Sequence, residues 1–379
     1  MSGFAQRNAH FDRLFATNNL FWLGQNTNHL PMHPQVRQAM IDSIEAEEFH
    51  AYAPPGGFTA LSRGIVADLG LPQDATAALI TDGAVAALAT VCRAYCESGT
   101  NFVTTDPGWK WPMQFARQAG AEVREIPIYD PAAGYRLTPD QLSENADRNT
   151  RIIYLVDPNN PLGICYTRTE MQAFCEIARE VDAYLLHDCT YRDFADNHVL
   201  AADLYPEGAI TIYSFSKWLG LAGLRVGAVV ANHRIMERLG AYSAATLGSS
   251  VVAQRAAQAG LAVKKEWMSG VQSIQRRNQA AIKEAVDKIP GLNVPIYPSN
   301  GNFVIIECVE LGLQPEALAT VYAQRGIMIR QGSYHTPRFG SRFVKVSTTV
   351  PSEWVDAFCR ELPDAIIAAR GVNDIPELF

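Results

Sequence analysis

The chain has no run of about 18 uncharged apolar residues, the length a helical membrane span needs, so no membrane partner is expected. It also lacks a lysine- or arginine-rich block. Acidic and basic residues are interspersed and the net charge is -7, which argues against a nucleic-acid partner. Its start, Met1-Ser2-Gly3-Phe4-Ala5-Gln6-Arg7, lacks the apolar stretch of a secretory signal. Cysteine is present without pattern. Cys92, Cys96, Cys165, Cys175, Cys189, Cys308 and Cys359 are odd in number and scattered, unlike a disulfide framework or zinc site. Cys92 and Cys96 fall in an apolar helical pattern and read as core thiols. A reducing cytoplasm is the natural compartment for such usage. The histidines show no metal-ligand spacing, and His187, beside Asp188, reads as a supporting or core group. Repeats and low-complexity segments are absent.

What is present is a globular composition, 48% hydrophobic and 19% charged over 379 residues, enough for a large core and more than one domain. From about residue 76 to 232, apolar strand-like runs alternate with helical patterns. Ile152-Ile153-Tyr154-Leu155-Val156 reads as a buried strand that ends in the turn cluster Asp157 to Gly163. A helix follows, with Thr167 and Glu170 as a capping box and Met171, Phe174, Ile177 and Val181 as its apolar stripe. Ala183 to Asp188 and Ala209 to Phe215 are further strands. Continuous apolar strands alternating with helices predict a mostly parallel sheet covered on both faces. A long helix is expected from about Lys264 to Lys288, with Trp267, Val271, Ile274, Ile282 and Val286 largely on one face. Residues from about 290 onward read as a smaller α+β domain.

The chemistry-bearing residues sit where these strands end, where open α/β sheets bind ligands. Lys217, in Ser214-Phe215-Ser216-Lys217, follows an apolar strand. A buried lysine can shed its proton and attack an aldehyde. Hydroxyls precede it, and Arg225 follows in Gly223-Leu224-Arg225-Val226-Gly227, a set suited to an anchored phosphate. An aldehyde and a phosphate on one molecule describe pyridoxal 5'-phosphate. Thr81-Asp82-Gly83-Ala84-Val85 follows another strand and opens a helix, where backbone N–H groups meet a phosphate. Asn160 lies in the turn after the Ile152 strand, and Asp188 ends the next one with Tyr191 close behind.

Together these segments resemble the fold type I pyridoxal-phosphate enzymes, specifically the class I/II aminotransferases, from about Gln25 to Val350. Asp157-Pro158-Asn159-Asn160-Pro161-Leu162-Gly163 is similar to the family's Asn-Pro-x-Asn-Pro-Thr-Gly turn, Asp188-Cys189-Thr190-Tyr191 to Asp-Glu-Ala-Tyr, and Tyr52-Ala53-Pro54-Pro55-Gly56-Gly57 to Tyr-x-Pro-x-x-Gly. The resemblance implies an α/β fold: a large, helix-covered, mostly parallel sheet of seven-stranded type plus a smaller α+β domain. It divides the chain into a cofactor-binding domain, 47–268, and a small domain, 1–46 with 269–379, whose N-terminal segment covers the substrate. It implies that Lys217 forms the internal Schiff base and shuttles a proton. Asp188 would keep the pyridine nitrogen protonated, so that the ring accepts electrons. Asn160 and Tyr191 would bond the ring 3-oxygen. Ser214, Arg225, Gly83 and Ala84 would hold the phosphate, and Trp109 would stack on the ring, with Trp111 as its rival. Tyr52 would reach the phosphate of a second subunit, which implies a homodimer with shared active sites.

The substrate end departs from the pattern. Where most members carry a carboxylate-binding arginine, Arg342-Phe343-Val344-Lys345-Val346-Ser347 places Lys345. Lysine offers a point charge rather than a planar fork. Either Lys345 holds the carboxylate, or Arg330 takes over, or the substrate lacks or loses an ordinary α-carboxylate. Arg342 falls on the opposite strand face. Asn26, with Gln25 and Asn28, resembles the loop folding over the pocket. The expectation is a ping-pong aminotransferase between an amino acid and a 2-oxo acid; the alternative is a decarboxylase or lyase on the same scaffold.

Overall fold

A computed structural model describes residues 3–243, 247–372 and 375. The strands are β1 (Phe21–Trp22), β2 (Thr76–Thr81), β3 (Asn101–Asp106), β4 (Glu122–Pro127), β5 (Thr150–Val156), β6 (Tyr184–Asp188), β7 (Ala209–Ser214), β8 (Gly227–Asn232), β9 (Phe303–Glu307), β10 (Ile327–Met328), β11 (Arg330–Gln331) and β12 (Phe343–Ser347). A seven-stranded sheet runs in the order β2-β8-β7-β6-β5-β3-β4. The neighbours from β7 through to β4 pair in parallel, whereas β8 is antiparallel to both β2 and β7. The expected mostly parallel sheet is therefore present, with one reversed strand inserted near its edge.

Both faces of this sheet are covered, which is why its strands read as unbroken apolar runs. On β5, Ile152 and Tyr154 join one buried cluster, while Ile153 and Leu155 join another on the opposite face. Helices flank the strands. The helix Arg168–Glu180 carries the expected capping box, Thr167 to Glu170, and buries Met171 and Phe174.

A second, antiparallel sheet, β11-β12-β9, has its own apolar cluster around Val304, Ile306, Val344, Val346 and Phe358. Its register places Arg330 opposite Lys345. The short β1 pairs with β10, carrying the N-terminal segment across this unit.

The long helix begins earlier than its sequence pattern suggests. It spans Val251–Asp287, 37 residues, or about 55 Å. Ser250 caps it by accepting from the Ala253 N–H. Its first half is rich in alanine, so large apolar residues do not mark the stripe there. Gly260 shows why: a Cβ would stand 2.1 Å from Leu219 Cδ2. The helix packs against Pro34–Glu45, Thr59–Asp68 and Ser352–Ala369, and so contacts both sheet-bearing units.

Candidate active site

The carboxyl ends of β5, β6 and β7 open onto one pocket of about 300 Å³, whose lining includes Asn160, Asp188, Ser214, Lys217, Arg330 and Lys345. Lys217 lies just past β7, half-buried, with its side chain lining the pocket. Its amine donates to the Gln25 carbonyl at 3.1 Å. Burial, aided by the Arg225 charge and opposed by Asp188, lowers its pKa from 10.5 to about 8. The shift corresponds to roughly 3 kcal/mol against the charged form. Roughly a tenth of this amine is thus neutral and nucleophilic at pH 7, against well under a hundredth for an ordinary lysine.

Asp188, the last residue of β6, is buried. Thr190 Oγ1 donates to its Oδ1 at 2.6 Å and Tyr154 Oη to its Oδ2 at 2.9 Å. Burial pushes its pKa up, and the hydrogen bonds from Thr190 and Tyr154 only partly offset this. Such a carboxylate is stabilised by a cationic N–H facing it across the pocket.

A phosphate cradle lies at the other end. Gly83 caps the helix Ala84–Tyr95 at φ +84°, and a Cβ there would sit 2.4 Å from Arg225 Nη2. A Cβ on Gly227 would sit 2.8 Å from the Ala84 nitrogen. Only glycine lets the guanidinium and the helix N-terminus approach this closely. Arg225 takes the left-handed conformation, φ 54°, and donates to the Ala222 carbonyl at 2.8 Å. Ser214 and Ser216 line the same end, and Ser214 Oγ accepts from the Ser216 N–H at 3.2 Å.

At the rim toward the second sheet, Lys345 Nζ donates to Asn160 Oδ1 at 3.1 Å, and Asn26 Nδ2 approaches the same oxygen at 3.4 Å. Two donors on one end of the amide identify that end as its carbonyl. Its NH₂ end remains available to an acceptor in the pocket. Asn26 Nδ2 also donates to Tyr191 Oη at 3.0 Å, while Asn26 Oδ1 is buried without a partner among the described residues. Lys345 is held well below its ordinary pKa by burial first, then by the charges of Arg330 and Lys217. Arg330 is also buried and stacks on Tyr334, 4.4 Å from the ring centre.

Of the site residues named from the sequence, the pocket is lined by Ala84, Trp109, Asn160, Asp188, Tyr191, Ser214, Lys217, Arg225, Lys345, Arg330 and Asn26, with Gly83 abutting Arg225. Trp111 instead lines a neighbouring cavity. Tyr52 is 80% exposed and lies outside the pocket lining. Arg342 points away, toward Glu307 at 3.5 Å and the Tyr129 ring. Sequence reading missed Thr190 and Tyr154, the Asp188 partners, and Phe11 and Tyr334 at the mouth. Thr190 was readable in the Asp-x-Thr spacing, since a hydroxyl two residues on can turn back to the carboxylate. Tyr154 projects from a neighbouring strand, and no local signal marks it.

The chain also brings together His187, Cys189 and His198, which sequence spacing did not suggest. Hydrogen bonds account for the histidines. His187 Nδ1 accepts from the Ala201 N–H at 3.2 Å, its Nε2 faces Asp157 Oδ2 at 3.3 Å, and His198 Nε2 lies 3.1 Å from the Asp157 carbonyl. This cluster braces the Asp157–Gly163 turn that carries Asn160.

The pocket fits pyridoxal phosphate: a low-pKa amine for an aldehyde, an unneutralised carboxylate for a ring N–H, and a glycine-lined cradle for a phosphate. The family described as aminotransferase class I and II matches residues 18–362. The histidinol-phosphate aminotransferase of Anoxybacillus flavithermus is 26% identical over 369 residues, covering 92% of this chain and 93% of that protein. That of Geobacillus thermodenitrificans is 28% identical over 327 residues, 84% of this chain and 83% of the relative. Among solved structures, N-succinyldiaminopimelate aminotransferase from Mycobacterium tuberculosis superposes with TM-score 0.84 at 22% identity, over 94% of this chain and 96% of that one. A double mutant of Thermus thermophilus aspartate aminotransferase gives 0.83 at 20%, over 96% and 97%. These structures share the fold.

Proposed function

The chain belongs to the class I and II aminotransferase family and is a pyridoxal phosphate-dependent aminotransferase, and on that premise we propose how its residues divide the work. When bound, the cofactor supplies an aldehyde to carry the amino group and a ring that accepts electrons. Lys217 is the amine that would hold it. Once free, Lys217 Nζ would take the proton from the substrate Cα and later return one. The observation that carries this is the Lys217 amine set in one pocket with Asp188, Ser214 and Arg225, its pKa lowered to about 8 chiefly by burial.

Asp188, oriented by Thr190 and Tyr154, would hold the ring N–H. The Asn160 NH₂ end and Tyr191 Oη would meet the ring oxygen. Ser214, Ser216, Arg225 and the amides at Gly83 and Ala84 would grip the phosphate, and Trp109 would stack on the ring. Lys345 and Arg330 together receive the substrate carboxylate. Because both cations face the pocket, anchoring does not require an arginine at residue 345. That favours the aminotransferase reading over a decarboxylase or lyase.

The relatives' name adds histidinol phosphate to the amino donors worth testing. We further propose the division into a cofactor domain, 47–268, and a small domain, 1–46 with 269–379. We also propose a cytoplasmic homodimer in which exposed Tyr52 completes the partner's phosphate site. Holoenzyme mixed with a panel of amino acids, without an oxo acid, should convert stoichiometrically to the pyridoxamine form. Pyruvate or 2-oxoglutarate should restore it. Release of carbon dioxide or ammonia with continued turnover would contradict the reading.

A further inference from the structure

The reaction pocket has a neighbour. Phe11 and Tyr334 line the reaction pocket, and the same residues wall a second cavity of about 220 Å³, shared with Arg7, Lys110, Trp111 and Ser333. Cations crowd this cavity. Lys110 Nζ lies 4.1 Å from the Tyr334 ring centre, and Arg7 and Lys110 each lie 5.8 Å from that of Trp111. Arg330, within the reaction pocket, touches Tyr334 at 4.4 Å. The cations therefore run outward from the reactive end: Lys345, Arg330, Lys110, Arg7.

No Asp or Glu lines the second cavity, and among the described residues neither Arg7 nor Lys110 has a carboxylate within ion-pair distance. Ser333 donates its hydroxyl to Glu316, which lies outside the lining. Lys110 is half-buried and held below its ordinary pKa by burial, then by Arg7 and Arg330. Aromatic faces steady the cations, but a ring face does not neutralise them. In a chain of net charge -7, Arg7 and Lys110 around a cavity lined by no carboxylate fit an anion.

We propose that this cavity is a second anion subsite, in which Lys110 and Arg7 hold an oxyanion at the far end of the amino substrate while its amine reacts at Lys217. The proposal rests on the aminotransferase reading of the pocket and narrows it to side chains ending in a carboxylate or a phosphate. Arg7 belongs to the helix Gly3–Ala16, which has no fully buried residue. An anion bridging Arg7 to Lys110 would fasten that helix over the pocket mouth, so the substrate itself completes its cover.

The test compares charged and neutral partners in the single-turnover half-reaction of holoenzyme. L-glutamate is set against L-glutamine, and histidinol phosphate against histidinol. The anionic-to-neutral ratio of kcat/KM should fall at least about tenfold in Lys110→Gln and in Arg7→Gln for one of the pairs, and Lys110→Arg should keep most of it. The pair that responds identifies the oxyanion. Ratios unchanged in both pairs would overturn the proposal. Independently, inorganic phosphate and glutarate are titrated against holoenzyme while tryptophan fluorescence is followed. Saturable quenching by either that is lost in Lys110→Gln supports the subsite; a flat or variant-independent titration overturns it. If no amine reacts with the wild-type enzyme, the aminotransferase reading fails, and the titrations still decide the subsite.

Discussion

Arg330 and Lys345 stand opposite each other on the antiparallel strands β11 and β12. Each is buried, and the Arg330 charge adds to burial in depressing the Lys345 pKa. The lysine that replaces the family's arginine is therefore one half of a cationic pair, not an isolated point charge.

Carboxylate binding should consequently take up protons. Lys345 is held well below its ordinary pKa by burial and by its neighbours' charges, and an incoming carboxylate favours its charged form. Calorimetry of a substrate-like carboxylate in buffers of different ionisation enthalpy should show uptake of up to about one proton per site. Affinity should weaken as pH rises. Lys345→Met should abolish the uptake and raise the amino-acid KM by about tenfold or more, with Arg330 retaining residual binding. Uptake that persists in the variant would place the titrating group elsewhere.

Lys217 sets a pH dependence of its own. Its folded-state pKa, about 8, lies below the ordinary 10.5, so the neutral amine dominates above about 8. Capture of pyridoxal phosphate by apoprotein should accelerate with pH up to this value and then level. The sign for stability follows. Between about 8 and 10.5 the unfolded chain binds more protons than the folded one, so apoprotein stability rises with pH across that window. Lys217→Met should remove the Lys217 share of this slope and leave that of Lys345 and Lys110, which denaturant titrations at pH 8 and pH 10 would read.

Gly83→Ala should damage the phosphate cradle without unfolding the sheet. The added Cβ meets Arg225 Nη2 at 2.4 Å on a backbone at φ +84°, so the guanidinium must move. Fluorescence titration of apoprotein should show cofactor affinity falling by about tenfold or more. Affinity within twofold of wild type would mean that Arg225 does not contribute to holding the phosphate.

Tyr52 tests the shared site. It is 80% exposed and does not line its own chain's pocket. Tyr52→Ala and Lys217→Ala should each be impaired alone, yet a mixed dimer places one intact site at one of its two pockets. Mixing the refolded variants should restore activity toward a quarter of wild type, the share expected if random pairing gives half mixed dimers with one working site each (about 25%). No gain on mixing would count against the partner role.

Much of this site was legible because cofactor contacts sit at strand ends, and buried parallel strands are unbroken apolar runs. Lys217, Asp188 and Asn160 each follow such a run. The helix start was not legible, since the alanine-rich turns before Lys264 pack by small size, as Gly260 does against Leu219. Tyr154 was hidden for a related reason: its ring packs in the core, while its hydroxyl serves Asp188 on the next strand. The Lys345–Asn160 bond joins residues 185 positions apart, and only the docking of the second sheet creates it. The distal cations Arg7 and Lys110 are spread over the first helix and the start of another, far apart in sequence.

The central claim is that Lys217, and not the second buried lysine beside it, carries the cofactor. Borohydride reduction of holoenzyme, followed by peptide mapping, tests it directly. The account predicts the pyridoxyl label on the peptide containing Lys217, with loss of labelling in Lys217→Ala and retention in Lys345→Ala. Label on Lys345, or undiminished labelling of Lys217→Ala, would contradict it.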